Sequence, residues 1–210
     1  MTHWRLTLWK ATGIGLLILF SHVSTWAAES PTAVVRSTIE QATAVLQDPA
    51  YQGAEHRQVR MDKIREIVLP HFDPREIARR TLGIHWHART EEQRREFIQL
   101  FITLVEQTYS STLDRYTGNV RFVFDRQRIE GTFAEVQSRV FDPSLDKTFS
   151  VNYRLHQVDG KWLVYDVVLE NISMVRNYRT QFNRIITKSS YEELVQSIQR
   201  KLQQLASSPS

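Results

Sequence analysis

The 210-residue chain contains no cysteine. That excludes a disulfide framework and any lipid anchor attached through cysteine, so the fold has to be held together by its core. Glycine and proline are scarce, at 7 and 6 residues, and neither an interdomain linker nor an internal repeat can be read. One globular domain is expected, large enough to enclose a core or a cavity. There is no Gly-x-Ser-x-Gly motif, so a hydrolase reading has no starting point. A membrane-spanning run is also missing. The longest apolar stretch, Ala11 to Phe20, is well short of the roughly 20 residues a spanning helix needs.

That stretch has another explanation. Arg5 and Lys10 precede it and small or polar residues from Ser21 to Ala28 follow it, which is the layout of a secretory signal peptide. Cleavage after Ala27 places Thr25 and Ala27 at the two positions that require small side chains; an uncleaved anchor is the competing reading. Residues 28–205 are then the domain and 206–210 a loose tail. Losing residues 1–27 lowers the formal net charge from +4 to +2. Export and the even mixing of charges along the helices argue against nucleic acid as a partner.

The most informative stretch of the exported part runs from Phe149 to Phe182. Phe149, Val151, Tyr153 and Leu155 alternate with Ser150, Asn152, Arg154 and His156, the pattern of a strand with one buried face. Asp159-Gly160 predicts a two-residue type I′ hairpin, pairing Leu155 with Val164, Tyr153 with Asp166 and Val151 with Val168. The return strand, Trp162 to Leu169, is apolar on both sides and should be covered twice.

Around the hairpin, helical spacing recurs from Pro31 to Leu46 and from Val59 to Leu69, and Asp73-Pro74 starts a short helix ended by Gly83. Thr90 with Gln93 caps the longest helix, whose stripe of Phe97, Leu100, Phe101, Leu104, Thr108, Thr112 and Tyr116 is widened by Val105, Tyr109 and Leu113. Gly118-Asn119 should end it. Strands at Val120 to Phe124 and Phe133 to Phe141 follow, and Ser173 and Ser190 cap two last helices. Helices, a meander of about four strands, then helices again indicate an α+β fold with helices wrapped on an antiparallel sheet.

Candidate chemistry is thin. His85 and His87 with Glu91 or Glu92 could be drawn as a metal site, but the spacing is not that of a helical ligand pair, and a polar loop anchored by Trp86 explains them as well. Tyr153 opposite Asp166 could be a general base with an oxyanion donor, or Asp166 could be a structural clasp bonded to a Tyr, an Arg or a backbone amide. Arg79, Arg80, Arg94, Arg95, Arg176 and Arg179 could bind phosphate or a partner, or form solvated helix faces.

Leu82 to Tyr109 and Tyr153 to Phe182 together contain L-G-x-x-W, T-x-x-Q-R-x-x-F, Y-D-V-x-x-E-x-x-S and N-Y-R-x-x-F. In that combination the chain resembles the MlaC-like family, the toluene-tolerance auxiliary proteins. Asn171 stands where the family usually has glycine, and asparagine tolerates the positive φ that the turn requires. The resemblance implies an NTF2-like cone with an apolar pocket for phospholipid tails, no catalysis and no cofactor. It also implies a periplasmic shuttle between an outer-membrane lipoprotein complex and an inner-membrane ABC transporter complex with its periplasmic substrate-binding subunit. On that basis the pocket is expected to be lined by Phe97, Phe101, Leu104 and Tyr109 of the long helix and by Val136, Val151, Tyr153, Leu155, Val164 and Val168 of the sheet. A hopanoid carrier, or an isomerase-like enzyme using Asp166 and Tyr153, are the alternatives. At about 0.8 kcal/mol per buried CH2, two acyl chains of roughly 16 carbons cost on the order of 25 kcal/mol to expose, which calls for a pocket of about 1,000 Å³.

Overall fold

Ser30 opens the first helix. Its hydroxyl accepts the Ala33 N–H at 3.2 Å, and Pro31 sits in the first turn, where no N–H is needed. The structure, a computed structural model, describes residues 29–115 and 120–207, with side chains in the longest helix only as far as Tyr109. The signal peptide, Tyr116, the Gly118-Asn119 stop and the last three residues of the tail lie outside those residues, as do the side chains of Thr112 and Leu113.

Among the described residues, six α-helices and five strands follow one another as α1 (Pro31–Gln47), α2 (Arg57–Val68), α3 (Pro74–Leu82), α4 (Glu91–Arg115), β1 (Arg121–Glu130), β2 (Phe133–Asp142), β3 (Lys147–Val158), β4 (Lys161–Leu169), β5 (Ile172–Ser173), α5 (Met174–Lys188) and α6 (Tyr191–Ser207). The caps expected from the sequence are formed. Asp73 accepts from Glu76 N–H, Thr90 and Gln93 bond each other's backbone N–H, and Ser173 and Ser190 accept from Arg176 and Glu193. Gly83 ends α3 at φ 56°, ψ −123°, where a side chain would be strained. None of the helices among the described residues is long and apolar enough to cross a membrane.

The strands form one curled antiparallel sheet in sequential order, β1 to β5. Asp159 and Gly160 both take positive φ, 49° and 79°, as the hairpin turn requires. Glu170 and Asn171, at φ 47° and 66°, make a second tight turn into β5, so asparagine serves where glycine is usual. Irregularities after Phe124 in β1 and at Tyr165 in β4 bend the sheet, as bulges do.

Two apolar clusters occupy opposite sides of this sheet. On one side α1 lays Val34 and Val35 against Ala134, Val136, Leu155, Trp162 and Val164. On the other, α3, α4, α5 and α6 gather Ile77, Leu82, Trp86, Phe97, Phe101, Leu104, Val175, Phe182, Tyr191, Leu194 and Ile198. Phe72 touches both clusters and bridges to Val164, extending the sheet edge. The double covering of β4 is therefore real: Trp162, Val164, Asp166 and Val168 are all buried.

The long helix does not lie against the sheet as its aromatic stripe suggested. Phe97 stacks on Phe101 with ring centroids 5.8 Å apart, and both receive Phe182 edge-on, at 5.8 and 5.5 Å. Tyr178 meets Phe101 edge-on at 4.9 Å. These arrangements favour the ring quadrupoles and fill the helical layer completely: Phe97 and Phe101 are 0% and 1% exposed. Periodicity revealed that α4 has a wide apolar face but not which neighbour covers it.

Candidate functional site

Register decides which side chains share a face, and here one bulge overturns part of the expected register. Leu155 pairs with Val164 as expected, but Tyr165 is then left without a partner. Beyond it Arg154 pairs with Asp166, Tyr153 with Val167 and Val151 with Leu169. Because side chains alternate, a one-residue slip moves every later residue of β4 to the other face. Asp166 and Val168 go to the side of α3 and α5, while Val167 joins Val164 on the α1 side. The expected pairs of Tyr153 with Asp166 and Val151 with Val168 are therefore not formed.

Asp166 is instead a clasp. It is 2% exposed; one carboxylate oxygen accepts from Ser173 Oγ at 2.6 Å and Arg154 Nη1 at 3.2 Å, and the other from Val175 N–H at 3.0 Å. It thus ties β4 to the first turn of α5, where a negative charge suits the helix N-terminus. Glu135 holds the far side of Arg154 at 3.4 Å. Asp166→Asn keeps the shape but removes the charge from these bonds and turns one acceptor into a donor. It is expected to lower unfolding free energy by about 1–3 kcal/mol, measured by urea titration. An unchanged midpoint would mean that the clasp contributes nothing.

The α1-facing side of the central strands carries Ala134, Val136, Ser138 and Val140 from β2, Phe149, Val151, Tyr153 and Leu155 from β3, and Val164 and Val167 from β4. Val136, Leu155 and Val164 are buried beneath α1, whereas Val151, Tyr153 and Val167 are only half-buried although they sit mid-sheet. Burial nevertheless pushes the Tyr153 phenol above its ordinary value. Of the six sheet residues expected around the pocket, five share this face, and Val168 lies on the opposite one. Phe97, Phe101 and Leu104 belong to the helical core, and Tyr109 is 42% exposed.

Two residues not named for the pocket from the sequence, Val167 and Phe124, share this face. Val167 replaces Val168, and no local signal announces the bulge that exchanges them. Phe124 packs, like Tyr153 and Val167, against the α1-side cluster, on a strand that runs on to Glu130 rather than ending at Phe124. It also lines, with Phe122, Val120, Ile39, Thr43 and Ala44, a cleft of about 290 Å³ between α1 and β1. A second concavity of about 580 Å³ lies beside Asp62, Arg65, Glu66, Leu69 and Pro70 and is largely open to solvent. Both are smaller than the volume of about 1,000 Å³ expected for two acyl chains.

The remaining candidates are accounted for by local contacts. His85 Nε2 bonds Asn183 Oδ1 at 2.9 Å, and Glu91 accepts from Arg75 at 2.7 Å and Arg94 at 3.3 Å. Trp86 is buried, with the guanidinium groups of Arg75 and Arg94 over its ring at 5.7 and 5.2 Å, so it anchors this loop. Burial raises the Glu76 carboxyl, but hydrogen bonds from Arg79 and Arg80 outweigh it and hold the group below its usual range. Arg176 and Arg179 are exposed on α5.

Comparison with known proteins agrees with this architecture. A protein of Haemophilus influenzae named "Intermembrane phospholipid transport system binding protein MlaC" is 24% identical over 149 residues, covering 70% of this chain and 68% of that protein. The "Toluene tolerance protein ttg2D" of Pseudomonas putida is 25% identical over 171 residues, covering 80% of this chain and 79% of that one. A solved phospholipid-binding protein of Ralstonia solanacearum, in complex with a phospholipid, superposes with a TM-score of 0.76 over 85% of this chain and 98% of its own, at 23% identity, and so shares the fold. The family described as MlaC protein matches residues 36–200. With that match spanning most of the chain, and with the helices and five-stranded curled sheet of its fold in place, the chain belongs to the MlaC family.

Proposed function

We propose that this protein is a periplasmic phospholipid carrier that encloses acyl chains between the α1-facing side of its sheet and the helices α1 and α2, and passes lipid between an outer-membrane complex and an inner-membrane ABC transporter complex. The observation that supports this most is the apolar sheet face that is buried beneath α1 at Val136, Leu155 and Val164 while its central residues Val151, Tyr153 and Val167 stay only half-buried. Family membership and the names of the relatives point the same way. Val136, Val151, Tyr153, Leu155, Val164, Val167 and Phe124 are the residues assigned here to the lipid. The helical-core residues Phe97, Phe101 and Leu104 are assigned to stability instead.

Volume follows from energetics. A dry apolar void of about 1,000 Å³, at about 24 cal/mol per Å³, would cost on the order of 24 kcal/mol, more than the 5–15 kcal/mol by which domains are typically stable. A carrier of this size must therefore close on what it holds, and the small cleft between α1 and β1 is the place where the two walls can separate. Bilayer and pocket are both apolar, so exchange between them is close to neutral. Direction then has to come from the partner complexes. An isomerase-like alternative needs Asp166 and Tyr153 together, and they lie on opposite faces.

Mass spectrometry of an organic extract from natively purified mature protein tests this reading. Phospholipids of several head groups are expected, because the tails are enclosed and the heads are not. An empty protein, or one holding only hopanoid, would overturn it.

A further inference from the structure

We propose that the Tyr153 hydroxyl donates a hydrogen bond to an ester carbonyl of the bound glycerolipid, so that the carrier selects ester-linked lipids over ether-linked or isoprenoid lipids of similar shape. The inference rests on the lipid-carrier reading and adds a chemical preference to it.

The α1-facing strip of β2, β3 and β4 is apolar through its middle, with two exceptions. Ser138 is 1% exposed, and its hydroxyl donates to the Val151 carbonyl at 2.6 Å, so its donor is already engaged. Tyr153, between Val136 and Val167, has no hydrogen bond among the described residues. A hydroxyl set in an apolar strip gains by finding an acceptor in the cargo, since leaving it unpartnered among apolar groups is unfavourable. Tyr153 is only half-buried, so a partner can reach it.

The chemistry of the cargo narrows what that partner is. An acyl chain offers only CH2 and CH3 groups. Moving outward from the tails, the first acceptors are the two ester carbonyls, and the phosphate comes later. A phosphate beside Tyr153 would place a charge among Val136, Leu155, Val164 and Val167 with no cation on the same strip, which is strongly unfavourable. A neutral ester carbonyl meets the phenol at no such cost. A hopanoid ring system has no ester to offer.

The test is a competition between diester and diether phosphatidylethanolamine of equal chain length, presented to the mature protein in mixed vesicles, with bound lipid counted by mass spectrometry. The wild type should be enriched in diester lipid by about two- to tenfold, the range that one hydrogen bond provides. Tyr153→Phe should bring the ratio close to one. The ester carbonyl infrared band of bound lipid should lie lower on the wild type than on Tyr153→Phe. Equal uptake of the two lipids by the wild type, a preference that survives in Tyr153→Phe, or a carbonyl band that does not differ would each overturn the assignment while leaving the carrier reading intact. A wild type that takes up neither lipid would overturn both.

Discussion

Phe101→Ala is expected to lower unfolding free energy by about 3–5 kcal/mol while leaving lipid loading per folded molecule unchanged. The ring is 1% exposed and touches Phe97, Tyr178 and Phe182, so its removal leaves a cavity that three rigid aromatic neighbours cannot fill by a small shift. Against a typical total of 5–15 kcal/mol, the variant remains mostly folded at low temperature and unfolds much earlier in urea. The measurement pairs a urea titration with lipid content of the purified fraction. If stability held and lipid were lost, Phe101 would line the tail site, as the stripe on α4 taken alone suggests. Leu104→Arg belongs to the same class: its site lies in the helical core, so misfolding is the expected result.

Val151→Asp should produce the opposite pattern. Val151 is half-buried on β3, on the α1-facing side, with Ser138 and Leu169 opposite it on either flank. Its backbone carbonyl continues to accept the Ser138 bond whatever the side chain, so the strand itself is not disrupted. A carboxylate placed among acyl chains costs several kcal/mol unless it finds a partner, and a loss of about 3 kcal/mol already reduces occupancy by roughly a hundredfold at limiting lipid. Aspartate is the stricter choice, because its short side chain keeps the charge close to the strand. Val151→Arg, whose long stem can snorkel, should lose less. Circular dichroism like the wild type together with empty protein is the expected outcome. Normal lipid stoichiometry in a folded Asp variant would place the tails elsewhere.

Much of the molecule was legible before any coordinates. Element order, the caps at Asp73, Thr90, Ser173 and Ser190, the Asp159-Gly160 hairpin and the positive φ accommodated by Asn171 all follow from local rules, since each depends on residues within a few positions of one another. The α+β class followed from the order of the periodic segments, and the family from four short motifs. Asp166 was open between clasp and catalyst on sequence alone, because a buried carboxylate suits either.

Tertiary structure alone decided three things. The bulge at Tyr165 is set by how β4 fits against β3 and the helices behind it, and by reversing the faces it separated Asp166 from Tyr153 and exchanged Val168 for Val167. The partner of α4 was decided by packing, because an apolar stripe fits a sheet or a helix layer equally well until shape and volume choose. The width of the cleft between α1 and β1 was decided by how closely α1 packs on the sheet, which no residue pattern encodes. What the sequence determined by itself is therefore local and periodic, and what it left open is which faces meet, since that depends on contacts between residues far apart in the chain.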